Sequence, residues 1–201
     1  MITSTSNGQI KKIQQLLKKS RTRKEEGLFV AEGIKMFREA PPERIEKIYL
    51  GASFAEKGTW REILREKGLE EKAESLTEVV EDKVFKSLSD TVTPQGVLCL
   101  IRIKESTLEE MIPEEKPALL MILEDLQDPG NLGTILRTGE GAGVTGIILS
   151  KNSVDIYNPK VIRSTMGSVY RVPFCYTSSI QEEILPWLRE KKITGYAAHL
   201  E

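Results

Sequence analysis

The groups best suited to chemistry are concentrated in Asp128-Pro-Gly-Asn-Leu-Gly-Thr-Ile-Leu-Arg-Thr138. The run follows an apolar stretch and opens a helical pattern, which is where open α/β sheets place their ligands. Gly130 and Gly133 permit a tight turn and a close approach by a partner. The amides at the helix start, near Asn131, can hold an anion such as a phosphate. Arg137 adds a fixed positive charge one to two turns further on. Six residues advance a helix by roughly 600°, so Asn131 and Arg137 stand about 120° apart and serve one site only along an oblique line of sight. The plainer reading of these residues is a capped helix carrying a surface arginine. A nucleotide-binding loop is weakly supported, because neither a Gly-Lys-Ser/Thr ending nor a full Gly-x-Gly-x-x-Gly follows a strand.

These residues need a frame. The chain has 201 residues, 39% hydrophobic and 29% charged, an ordinary balance for a globular protein. Lys+Arg number 29 against 30 Asp+Glu, a formal net charge of -1. That excludes a uniformly basic nucleic-acid coat and leaves room for a local basic patch. One exists: Lys11, Lys12, Lys18, Lys19, Arg21, Arg23 and Lys24 are answered locally only by Glu25 and Glu26. It reads either as a solvated helix face or as an RNA-binding one. No apolar run approaches the roughly 18–20 residues of a membrane span, and residues 1–7 carry no secretory pattern. Cys99, Cys175 and a single histidine, His199, exclude a disulfide framework, a structural metal and most Ser-His catalysis. The expectation is a cytoplasmic protein with no membrane and no metal.

Ile10, Ile13, Leu16 and Leu17 recur at helical spacing, predicting an amphipathic helix followed by a basic loop. Strands are expected over 28–31, 45–50 and 97–103, and helices over 34–40, 60–67 and 77–89, the last with a stripe of Val79, Val80, Val84, Phe85 and Leu88. This alternation predicts a small α/β sandwich over 1–104. The acidic, polar stretch 105–117 reads as a linker in which Leu108, Met111 and Ile112 pack a short turn. A second α/β unit is expected over 118–201. Its apolar runs 118–123 and 145–150 read as buried parallel strands, and 131–143 as the helix between them. Asn158-Pro159 starts a further helix. Residues 169–176 read as a strand broken by Pro173, and Ser179-x-x-Glu182 as a capping box for a helix to 192. A last strand over 193–200 ends the sequence on an apolar edge, predicting a second domain that is incomplete at its C-terminus.

Asp128-Pro-x-Asn-x-Gly-x-Ile-x-Arg-Thr138 resembles the first motif of the SpoU/TrmH-type RNA ribose methyltransferases of the SPOUT superfamily, at each of those positions. Asn158-Pro-Lys-Val-Ile-Arg-Ser-Thr-Met-Gly-Ser168, followed by Tyr170-Arg-Val-Pro173, resembles the second. Lys19-Ser-Arg-x-Arg-Lys24, Leu28-Phe-Val-Ala-Glu-Gly33 and Ser89-Asp-Thr-x-Thr-Pro-Gln-Gly96 are similar to the substrate-binding domain often fused to these enzymes, of a ribosomal-protein-like RNA-binding type.

The resemblance implies a SPOUT α/β-knot domain, whose chain threads a loop against the usual rule. It implies S-adenosylmethionine as cofactor, transfer of a methyl group to a ribose 2′-hydroxyl, RNA as partner (ribosomal rather than transfer RNA) and a homodimer. Arg137 corresponds to the family's catalytic arginine and Asn131 to its motif asparagine. A guanidinium with a pKa above about 12 is a poor base, so Arg137 is expected to stabilise the developing alkoxide or orient a phosphate. Ala198, His199 and Leu200 are expected at the cofactor, although His199 taken alone reads as a strand-end residue. Lys11, Lys12, Lys18, Lys19, Arg21, Arg23, Lys24, Arg163, Ser164 and Ser168 are expected to face RNA. The family's third motif, an Asn-x-Ser-Val-Ala-like segment, is expected beyond residue 201. The alternative is therefore an RNA-binding protein without catalysis, and the 201-residue chain is expected to bind the cofactor poorly.

Overall fold

The computed structural model describes residues 1–89, 91 and 93–198. Helices α1 (Gly8–Lys18) and α2 (Ser20–Glu26) lead into β1 (Leu28–Glu32), α3 (Ile34–Glu39) and β2 (Ile45–Gly51). Then come α4 (Ala52–Glu56), α5 (Thr59–Glu66), α6 (Ala73–Leu76), β3 (Thr77–Val80), α7 (Asp82–Lys86) and β4 (Val97–Arg102). These strands form one sheet in the order β1-β4-β2-β3, with β2 and β3 parallel and β4 antiparallel to both its neighbours. Alternation along β1 and β4 decides what each face buries. Phe29, Ala31, Val97, Cys99 and Ile101 share one buried cluster, while Leu28, Val30, Leu98 and Leu100 join Ile10, Ile13 and Leu16 of α1 in another.

The second sheet is parallel, ordered β5 (Leu120–Leu123), β6 (Gly146–Ser150), β7 (Phe174–Thr177). Helix α8 (Pro129–Gly141) connects β5 to β6, α9 (Pro159–Thr165) lies between β6 and β7, and α10 (Leu185–Glu190) follows. The two sheets are joined by apolar packing. The first cluster runs on without a break from Phe29 and Phe37 to Leu132, Tyr157, Val161 and Phe174. The rings of Phe29 and Tyr157 are 4.4 Å apart. Residues 105–117 also contribute: Met111 is fully buried and packs on Gly146, where a Cβ would meet its Cγ at 2.4 Å.

Several local expectations change in three dimensions. The basic loop after α1 is the helix α2. The helix expected over 77–89 divides into β3 and α7, because Thr77, Val79 and Val80 are β-branched and pair in parallel with β2. The strand expected from 169 begins only at Phe174: Gly167, at φ 104, opens a 3₁₀ turn over 168–170. The run 118–123 is half-buried rather than buried, since β5 is an outer strand of its sheet. Residues 193–198 form no strand, and 199–201 lie outside the described residues. Asn158 caps α9 as expected, the Lys160 amide donating to its Oδ1 at 2.9 Å. Only half of the capping box forms: the Glu182 amide donates to Ser179 Oγ at 3.1 Å, but the Ser179 amide donates to Thr177 Oγ1 at 3.3 Å and not to Glu182.

Candidate functional site

Helix α8 starts at Pro129, two residues earlier than its sequence pattern indicates, and Asp128 is its cap. The Asn131 amide donates to Asp128 Oδ1 at 2.6 Å. A carboxylate therefore occupies the position at which an anion was expected, and the helix start is closed to phosphate by charge and by geometry. Neither glycine serves as a left-handed turn, because both lie within the helix. Gly133 has a different purpose. A Cβ there would lie 2.3 Å from Ser164 Cβ and 2.9 Å from the Val161 carbonyl. Only hydrogen fits, and α8 and α9 thereby approach closely enough to bring the two motif-bearing stretches side by side.

The loop between β5 and α8 is fixed from the end of β6. Asp125 is held at φ 48, its amide donating to Ser150 Oγ at 2.8 Å while the Ser150 hydroxyl donates to Asp125 Oδ1 at 2.7 Å. A non-glycine residue in the left-handed region at the carboxyl end of a parallel strand is a strained position of the kind that clusters at functional sites. Beyond it, Asn131 and Arg137 are both exposed on α8. Arg137 lines neither the cleft between the two sheets nor the groove beside β5.

The residues expected to face RNA separate into groups. Lys11, Lys18, Lys19 and Lys24 are exposed on α1, α2 and the junction between them. Lys12 pairs with Glu26 at 2.6 Å and Arg21 with Glu25 at 2.7 Å, both at the surface. Arg23 is a correction: it is 3% exposed, donates to the Leu16 carbonyl, and grips Asp155 Oδ2 through Nε at 2.9 Å and Nη2 at 2.6 Å. It ties the first sheet's helices to the second unit and cannot reach a phosphate. Ser168 is likewise buried, its hydroxyl donating to Glu140 Oε2 at 2.6 Å. Ser164 donates within its own helix to the Lys160 carbonyl and packs against Gly133.

Arg163 is half-buried in a cleft of about 300 Å³ between the two units. Its neighbours there include Lys35, Thr91, Thr93, Gln95 and Met166. Sequence reasoning did not single these out, although the quoted segments 28–33, 89–96 and 158–168 are the ones that converge on the cleft. The walls are locked: Gln95 Oε1 accepts the Ile34 amide at 2.7 Å, and Glu32 Oε1 accepts the hydroxyls of Ser89 at 2.5 Å and Thr91 at 3.3 Å. A second lock spans the units where Arg171 donates to both Glu39 and Glu140. Hydrogen bonding to Arg171, and secondarily to Ser168, holds the Glu140 carboxyl below the usual range despite partial desolvation.

Of the residues expected at the cofactor, Ala198 is exposed at the end of an unpaired run, and His199 and Leu200 lie outside the described residues. Ala198 offers an adenosine its backbone groups only, which is the kind of contact expected of this segment.

Residues 118–201 match the SpoU rRNA Methylase family, and residues 7–99 match the MRM3-like substrate binding domain. Human mitochondrial rRNA methyltransferase 3 is 39% identical over 106 residues, covering 51% of this chain and 24% of that protein. A tRNA/rRNA methyltransferase of Synechocystis, itself uncharacterized, is 34% identical over 193 residues, 94% of this chain and 65% of the relative. The chain thus spans from a quarter to about two thirds of the length of these relatives. The AdoMet-bound rRNA methyltransferase of Sinorhizobium meliloti superposes with a TM-score of 0.76 at 29% identity, over 94% of this chain and 67% of that one. The SpoU methyltransferase AviRb of Streptomyces viridochromogenes, 22% identical, shares the fold with a TM-score of 0.76.

Proposed function

We propose, for a chain that carries an MRM3-like substrate-binding domain followed by a SpoU rRNA methylase domain, that it takes part in S-adenosylmethionine-dependent methylation of a ribose 2′-hydroxyl in ribosomal RNA. The observation that carries this reading is the placement of the Asp128–Thr138 run. It stands at the carboxyl end of β5, behind the strained Asp125, with Asn131 and Arg137 presented outward on a helix that α9 holds rigidly through Gly133.

Methyl transfer needs an electrophile held in line with an oxygen that is losing its proton. The sulfonium of the cofactor supplies the electrophile. The Arg137 fork orients the RNA phosphate or stabilises the oxygen as charge develops, and the proton leaves to phosphate or water. Exposed Asn131 and Arg137 need an opposing wall to close on a ribose, which supports a pair of chains as the working unit. Ribosomal RNA is preferred over transfer RNA on the names of the similar proteins. The two cysteines are free, in keeping with a reducing compartment such as the cytoplasm.

The test incubates the protein with methyl-labelled S-adenosylmethionine and either ribosomal or transfer RNA. Label is expected in ribosomal RNA as alkali-resistant dinucleotides, the signature of a blocked 2′-hydroxyl. Label on a base, or in transfer RNA alone, would count against the reading.

A further inference from the structure

We propose that the cleft between the two units holds one unpaired RNA nucleotide, its phosphate on Lys35 and Arg163 and its base against the Met166 thioether. The proposal rests on the reading of the chain as an RNA-modifying enzyme and adds a second point of substrate contact to it.

Size and composition define the occupant. At about 300 Å³ the cleft is at the small end of ligand sites, which run from roughly 300 to 1,000 Å³. It suits one nucleotide and excludes a duplex. Its walls combine two cations, the hydroxyls of Thr91 and Thr93, and an apolar thioether. That mixture matches a splayed nucleotide, whose phosphate, sugar and base edges each need a different partner. The interface's ion pairs are made by Arg23 and Arg171, not by Lys35 or Arg163. Glu32, the carboxylate of the wall, is engaged by the Ser89 and Thr91 hydroxyls.

Met166 is the second, independent observation. It ends α9 at φ 52 and ψ 29, the left-handed position that glycine ordinarily fills. A side chain with a Cβ is strained there, and at 41% exposure that of Met166 recovers little of the cost in packing. A flexible, polarizable side chain held over a charged cleft is suited to lie on a base. Arg163 and Glu32 also line a notch whose far wall includes Leu17 of α1.

Fluorescence anisotropy with a labelled 12-nucleotide single-stranded RNA, and with the same RNA as a duplex, over a range of KCl concentrations, tests this. The Lys35→Gln/Arg163→Gln variant is compared with Lys116→Gln/Lys191→Gln, which removes two exposed lysines elsewhere. The cleft variant is expected to bind single strands at least tenfold more weakly, with a salt slope shallower by about 0.7, the value for the one phosphate that Lys35 and Arg163 share. Met166→Gly is expected to weaken binding severalfold while its thermal midpoint holds or rises, which a purely structural role would not give. Cleft variants that lose no more affinity than the control pair, or that lose single strand and duplex equally, overturn the proposal alone. A wild-type protein that binds no RNA overturns the parent reading with it.

Discussion

Gly133 and Ser164 touch across the crossing of α8 and α9 so closely that a methyl group on Gly133 would lie 2.3 Å from Ser164 Cβ. This contact sets the distance between the two helices that carry the motif residues. On an isolated helix, Gly→Ala stabilises by up to about 1 kcal/mol. Here overpacking opposes it, at about 1–3 kcal/mol, against a backbone carbonyl that cannot swing aside. Gly133→Ala is expected to lower the unfolding free energy in urea. A variant as stable as the parent, or more so, would mean that the helices can separate at little cost.

Arg23 and its neighbour Arg21 are expected to behave oppositely. Removing one partner of a buried ion pair typically costs about 3–5 kcal/mol, and Arg23 and Asp155 are 4% and 17% exposed in their side chains. Arg21 is 89% exposed, and surface pairs contribute about 0–1 kcal/mol. Urea titration of Arg23→Ala and Arg21→Ala should show a large loss for the first alone. Equal losses would refute the assignment of Arg23 to the interface.

Acid should loosen the Arg171 lock. The Glu140 carboxyl is held below its unfolded value of about 4.3. Its stabilising contribution is therefore complete above that pH and is lost as pH falls further, through the folded value. Thermal midpoints measured down to pH 3 should fall less steeply for Glu140→Gln than for the parent. Parallel acid limbs would remove Glu140 from the account.

Arg137→Lys keeps the charge and loses the planar fork. As an exposed surface change it should move stability by no more than about 0.5 kcal/mol, while methyl transfer to ribosomal RNA falls at least tenfold. Full turnover in the lysine variant would show that charge alone suffices.

The exposed lysines of the N-terminal helices are expected to act additively. Lys11→Gln/Lys18→Gln/Lys19→Gln should flatten the salt dependence of RNA binding by about 2, three contacts at roughly 0.7 each. An unchanged slope would leave that face merely solvated.

Much of this molecule follows from local sequence. The apolar runs of β1, β4 and β6 form strands because near-continuous burial on both faces leaves no other use for them. Asn158 and Ser179 cap helices through bonds that span only two or three residues. The motif around Asn131 is visible for the same reason: its meaning lies in adjacent positions. Long-range contacts decided the rest. Val79 and Val80 satisfy a helical stripe equally well, and only pairing with β2 makes them a strand. Arg23 is indistinguishable by type from Arg21, and Asp155, 132 positions away, buries one of them. The cleft that joins Lys35, Thr91 and Arg163 exists because two sheets share one apolar core. Residue order specifies which groups are available, but the free energy of that shared burial determines which of them meet.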